Sequence, residues 1–254
     1  MEILEYRMST GIKAFSTKRG APCGSYGSFN VTHYCGDTAE HVAECRAELC
    51  AHLGIADEQL ILPRQTHDSE VLCIDEPLLA RSRGEIAETL HGVDAVITAL
   101  PRTCIGISTA DCVPLLLCDR TKGIIAAAHA GWRGTVARIA EDCIAKMCSS
   151  YGCEPQNIKA VIGPSIGPEV FEVGDEVYEA FESNNFPMKR IATRRRKWHI
   201  DLWEANRWQL LECGLLPENI EITGICTHSR HEEFFSARRL GINSGRIFNG
   251  IMIE

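Results

Sequence analysis

Four short apolar runs crowded into residues 94–130, DAVIT, CIGIS, VPLLLCD and GIIAAAHA, constrain the fold of this chain more than any other feature. Each is bounded by turn-forming residues and shorter than an ordinary helix. Runs of this kind read as strands covered on both faces, so the chain needs a largely buried sheet with other elements laid over it. The flanking sequence supplies those elements. IKAFST reads as a first strand, followed by a Gly-rich loop, KRGAPCGSYGSFNVTHYCGD, and a helix near Thr38–Leu53. Asp37 and Glu40 have the spacing of a capping box at its start, and Gly54 marks its end. Strand-like segments at Gln59–Leu62 and Glu70–Ile74 place His67 in or beside the turn that joins them.

Downstream of GWRGTV a helix is expected to about Cys148, then a strand in IKAVIGPSIGP that ends in a Gly/Pro turn, and a helix beginning in GDEVYEAF. DLWEANRWQLLECG reads as an amphipathic helix, with Leu202, Ala205, Trp208, Leu211 and Leu215 near one stripe. The last strands are expected in IEITGIC, FFSARR and RIFNGIMI. Strands thus occur both in succession and in alternation with helices, which predicts an α+β fold with mixed β-sheets rather than a doubly wound one. No repeat or long linker divides residues 1–254, which read as a single domain. The glycines fit neither GxGxxG nor GxxxxGK, so dinucleotide and P-loop readings fail.

A chain of 254 residues can bury an extensive core without disulfides or structural metal. Its thirteen cysteines are odd in number, scattered and without a CxxC pair, so most read as reduced, small apolar core residues. No apolar run approaches the ~20 residues that cross a bilayer. The N-terminal MEILEYRMSTGIKAF lacks the pattern of a signal peptide, and a cytoplasmic location is expected. A formal charge of −8 argues against a nucleic-acid partner. The one basic run, RRRKWH from Arg194 to His199, reads as a solvated loop.

Three residues stand out as chemistry. His67, Cys112 and His129 each lie at a strand end or turn, where a side chain can be both exposed and positioned. Two imidazoles and a thiolate would suit a catalytic zinc with an exchangeable fourth position. Residue types alone leave two other readings open: a Cys-His nucleophile pair, or three unrelated structural residues. Cys104 and Cys118, in apolar runs, read as core.

The blocks RQTH, TADCVPLLLCD, AAAHAGWRGTV, IGPSIGPEVFEVGDEV and CTHSRHEEFFSARR, in that order, resemble those of the YfiH or laccase-domain family, also described as multicopper polyphenol oxidases. GSFNVTHYCGD adds to the likeness, which covers almost the whole chain. The resemblance implies a cytotoxic-necrotizing-factor/YfiH type of fold, with mixed sheets in an α/β/β/α layered arrangement. It implies that His67, Cys112 and His129 are metal ligands, with zinc expected and copper as the lesser alternative. It also implies purine nucleoside chemistry: phosphorolysis of adenosine, inosine, guanosine and methylthioadenosine, with phosphate as co-substrate, and deamination of adenosine.

A three-ligand zinc suits the deamination directly, since it acidifies a bound water. Phosphorolysis needs an anion site, for which Arg64, Arg133, Arg238 and Arg239 are candidates. Asp111, beside Cys112, is the candidate acid or base, provided the chain turns there, as Pro114 would allow. Asn30, His33 and Ser236 are candidate substrate contacts, and Trp132 a candidate stacking surface. A copper oxidase would need many more histidines than the nine present, and no His-x-His pair occurs. The rival readings are a Cys-His hydrolase acting on amide bonds, as in editing of peptidoglycan precursors, and a non-catalytic nucleoside- or metal-binding protein.

Overall fold

The four apolar runs form strands in two stacked sheets, each carrying a helical layer on its outer face. The computed structural model describes residues 1–21 and 23–254. The chain opens with β1 (Ile3–Tyr6), β2 (Ile12–Thr17), α1 (Ala39–Leu53), β3 (Leu60–Ile61) and β4 (Val71–Ile74). Two short helices, α2 (Glu76–Leu79) and α3 (Arg83–Thr89), precede the central strands β5 (Ala95–Thr98), β6 (Cys104–Thr109), β7 (Val113–Asp119) and β8 (Ile124–Ala130). Then come α4 (Trp132–Val136), α5 (Ile139–Tyr151), β9 (Ile158–Ile162), β10 (Glu172–Val173), α6 (Asp175–Ser183) and α7 (Met188–Ile191). The chain continues through β11 (Ala192–Arg194), β12 (Trp198–Ile200), α8 (Leu202–Glu212), β13 (Ile220–Ile222), α9 (Ala237–Leu240) and β14 (Ile247–Ile253).

One sheet has the order β1-β2-β14-β6-β3 and the other β13-β9-β7-β8-β5-β4; both mix parallel and antiparallel pairs. Strand alternation sorts their side chains into layers. Leu116 and Cys118 of β7, with Ile125 and Ala127 of β8, meet Ala14, Ile105, Ile107 and Ile251 of the facing sheet. Leu115, Leu117, Ala126 and Ala128 point the other way, under Ile139, Cys143 and Met147 of α5 and Leu202 and Leu210 of α8. On the far side of the five-stranded sheet, Phe15, Cys104 and Phe248 pack beneath Cys45, Leu49 and Leu53 of α1. The result is the helix/sheet/sheet/helix stack that the resemblance implies. Among the described residues no helix is long and apolar enough to cross a membrane.

Several elements depart from the sequence reading, each for a local reason. The α1 cap is Thr38, whose hydroxyl accepts from the His41 amide, while Asp37 takes the His41 ring instead. The stop at Gly54 is as expected, with φ 67°. The helix after GWRGTV is two helices that begin at Trp132 and break at Arg138, which has φ 70°. FFSARR is not a strand: Ser236 caps α9 by accepting from the Arg239 amide. Strand β1 and a small sheet of order β10-β12-β11 went unforeseen; RRRKWH is the tip and arm of its hairpin. On α8 the buried stripe includes Asn206 and Gln209 in place of Trp208 and Leu211, because their amides bond Thr135 at the end of α4.

Leu116 is buried between the sheets, and Leu116→Ala should lower unfolding free energy by about 2–5 kcal/mol in urea titrations. Cys118→Ala on the same face removes one sulfur and should cost about 1 kcal/mol. Unchanged stability in Leu116→Ala would contradict its place between the sheets.

Candidate metal centre

The register of β7 on β8 creates the site. Val113 pairs with Ala130 and Pro114 with His129, so one residue further along Cys112 lies opposite Gly131. His129 shares the sheet-facing side of β8 with Ile125 and Ala127, and Cys112 follows the parity of Pro114 and Leu116 on β7. The Cys112 sulfur and one nitrogen from each of His67 and His129 lie within 4.8 Å of one another. The two imidazoles meet edge to face with centroids 4.8 Å apart. His129 is buried, Cys112 half-buried and His67 exposed. A Cβ on Gly131 would stand 3.0 Å from the Cys112 sulfur and 3.3 Å from the His67 ring, so a larger residue there would press on both side chains.

Asp94 organises the cluster from behind. The register that pairs Ala95 with Ala128 sets Asp94 beside His129. Its fully buried carboxylate accepts from His129 Nδ1 at 2.7 Å and from the backbone amides of Thr66, His67 and Asp68 at 3.0–3.1 Å. One side chain therefore fixes the tautomer of one histidine, leaving Nε2 for a ligand, and the backbone of the other. His67 adopts φ 67°, a left-handed conformation that these three amide bonds sustain. Gln65 ties the same segment to β6 through both the amide and the carbonyl of Ser108.

Charge coupling is strong here. Burial alone would push the Cys112 thiol up, but His129 and then His67 outweigh it and hold it at about 6. Burial likewise pulls the His129 ring down, yet the Cys112 sulfur and then Asp94 raise it to about 9. For Asp94, burial opposes ionisation, and His129 with the backbone amides holds it below the usual carboxylate range. Two imidazoles, a thiol that favours its thiolate and a carboxylate-oriented ring fit a zinc-type ion with one coordination position left open.

The remaining sequence-chosen residues are more scattered. Asp111 adopts φ 85°, and this, rather than Pro114 within β7, turns the chain. Its carboxylate accepts from Thr227 Oγ1 at 2.8 Å and the Arg238 amide at 2.7 Å. Asn30 is fully buried and spends its amide on Asp37, Thr32, Cys35 and Arg246. Ser236 is buried as the α9 cap. Arg133 is exposed just beyond Gly131 and lies over the Trp132 ring at 4.2 Å. Arg238 directs its guanidinium to the Glu172 carbonyl, whereas His33 and Arg64 line a separate groove. Asp94 is a functional residue that sequence reasoning missed, since as the first residue of DAVIT it carries no local signal of what it faces.

Residues 12–254 match the family described as multi-copper polyphenol oxidoreductase laccase. The chain belongs to this laccase-like family. Within reach of it, a purine nucleoside phosphorylase of Bacteroides thetaiotaomicron is 50% identical over 250 residues, covering 96% of this chain and 93% of that protein. Adenosine deaminase RL5, from an unknown prokaryotic organism, is 46% identical over 257 residues, covering 99% and 98%. The crystal structure of a Bacillus licheniformis hypothetical protein YfiH superimposes with a TM-score of 0.87 at 27% identity, over 96% of this chain and 93% of that one.

Asp94→Asn would turn one acceptor into a donor facing amide N–H groups. It should cost about 1–3 kcal/mol in the metal-stripped protein and weaken zinc binding about 10–100-fold in chelator competition. Unchanged values in both would remove Asp94 from this role. In metal-stripped protein, alkylation of Cys112 mapped by mass spectrometry should fall as pH drops through about 6. A midpoint in the ordinary thiol range would show that the histidines do not hold the thiolate.

Proposed function

We propose that this protein is a zinc-dependent purine nucleoside enzyme, phosphorolysing nucleosides and deaminating adenosine. The observation that carries the reading is the convergence of His67, Cys112 and His129 behind one exposed face, in a chain half identical to a protein named for the first activity and nearly so to one named for the second. His67, Cys112 and His129 would hold the ion, which supplies Lewis acidity to activate water for attack on the purine C6. Asp94 keeps the His129 ring aimed and the His67 segment in place. The exposure of His67 leaves that side open to a dissolved nucleoside.

In phosphorolysis a phosphate oxygen bonds to the ribose C1′ as the C1′–N9 bond breaks, with the electron pair leaving on the purine and a proton following it. Arg133 is the best placed of the arginines to hold phosphate. It lies two residues past Gly131 on α4, whose Gly134 packs against the Asp68 carbonyl of the His67 loop. Asp111 is read as a positioning residue, because both its oxygens already bind the loops around Thr227 and Arg238. Methylthioadenosine, guanosine and inosine belong to the same proposal, as does a cytoplasmic setting.

A second reading rests on the lowered Cys112 thiol beside two imidazoles, the arrangement of a thiol hydrolase. Metal analysis of the untagged protein, run beside a nucleoside panel with and without phosphate, separates the two. About one zinc per chain is expected, lost on His67→Ala or His129→Ala with the fold retained. Inosine should give hypoxanthine and ribose 1-phosphate only when phosphate is present, and adenosine should give inosine without it. Cys112→Ser should weaken metal binding and recover some activity in excess zinc. Full metal retention in both histidine variants, or turnover abolished by Cys112→Ser regardless of metal, would favour the hydrolase. Bound copper with oxidation of a phenol would favour the chemistry in the family description.

A further inference from the structure

A cavity of about 710 Å³ lies between α1 and the α2–α3 pair, along the outer edge of β3. That volume falls within the range of about 300–1,000 Å³ typical of small-molecule sites. Its floor is aliphatic: Val42 from α1, Leu60 and Leu62 from the β3 segment, and Leu79, Ile86 and Leu90 from the opposite wall. Four arginines stand around it in a chain whose formal charge is −8. Arg46 is paired with Asp57 at 2.9 Å and Arg83 with Glu58. The groove's other carboxylate, on Asp37, is occupied by His41 and Asn30. Arg64 and Arg81 are exposed and have no carboxylate partner among the described residues. His33, which also lines the groove, is held below its usual pKa by burial, then by Arg46 and Arg64.

We infer that this groove binds a small anion with an aliphatic body, of the class of medium-chain carboxylates, its chain on the Leu62, Ile86 and Leu90 floor and its head on the guanidinium groups of Arg64 and Arg81. An apolar floor alone would take any hydrophobe, and arginines alone any anion. The joint arrangement selects a molecule with both parts. The site is separate from the metal centre but not remote from it along the chain. Arg64 exchanges backbone hydrogen bonds with Leu90 and Gly92, and three residues later the same segment presents His67.

Titration of octanoate into the whole protein by calorimetry should show saturable binding at a single site. Arg81→Gln, an exposed substitution, should weaken it about tenfold, the loss expected for one charge-assisted hydrogen bond. Ile86→Gln should weaken it as well, with retention of fold checked by circular dichroism; if that variant misfolds, Arg81→Gln decides alone. Octylammonium, with the same chain and the opposite head, should not compete, and acetate should not bind. His67→Ala should bind octanoate as the parent does. The inference is overturned by the absence of saturable binding, by equal binding of octylammonium, by unchanged affinity in Arg81→Gln, or by loss of binding in His67→Ala, which would place the carboxylate on the metal.

Discussion

The antiparallel ladder between β7 and β8 is the constraint on which the rest of this structure depends. Seven residue pairs lock the two strands, and every residue in both is buried. A slip of one position would exchange the face that meets the second sheet with the face that meets α5 and α8, exposing neither set to a partner of the right size. The same register sets Cys112 beside Gly131 and diagonal to His129. The geometry of the candidate centre is thus held in part by the energetics of the core: Cys112 and His129 cannot drift apart unless this buried ladder comes undone.

A buried ionised carboxylate is costly unless its oxygens are satisfied. Asp94 meets that condition with four donors drawn from two separate parts of the chain. The arrangement also accounts for the left-handed backbone at His67, which would be strained in an unsupported turn. Asp111 plays a comparable part on the other side, where a second left-handed residue gives its carboxylate to Thr227 and Arg238 after β13 and its backbone carbonyl to Ile166 after β9. Two aspartates thus brace the cluster, Asp94 at the His67 segment and Asp111 at the entry to Cys112.

Much of this was legible in the sequence, for reasons that can be named. The runs from Ala95 to Ala130 are buried on both faces and so need no context to read as strands. β1 was missed because its residues are mostly half-exposed and include Glu5, and β10 to β12 because they have two or three residues each and an arginine-rich tip. FFSARR carries a β-like apolar start, but Phe234 and Phe235 fill a small core of their own, and Ser236 then caps a helix. On α8, apolar periodicity could not anticipate that Asn206 and Gln209 would be buried for the sake of Thr135. The convergence of His67, Cys112 and His129 was legible through their neighbouring blocks. Asp94 was not, because its meaning depends on which residue of β8 it faces, and no local pattern encodes a register.

The place of β14 in its sheet has a consequence for how the chain reaches this state. The strand lies between β2 and β6, so residues 247–253 pair with residues 12–16 on one side and 105–109 on the other. During synthesis the β7–β8 hairpin can close as soon as it emerges, since its partners are neighbours in sequence. The five-stranded sheet cannot close until residues 247–253 have joined it, because both halves of it wait on that strand. Until then the faces carrying Ile105, Ile107, Leu116 and Ile125 have only part of their cover, and assembly is governed by long-range contacts of the slow kind. A chain that has not yet added this strand presents an apolar seam, and the segment that seals it is distant in sequence from both strands it joins.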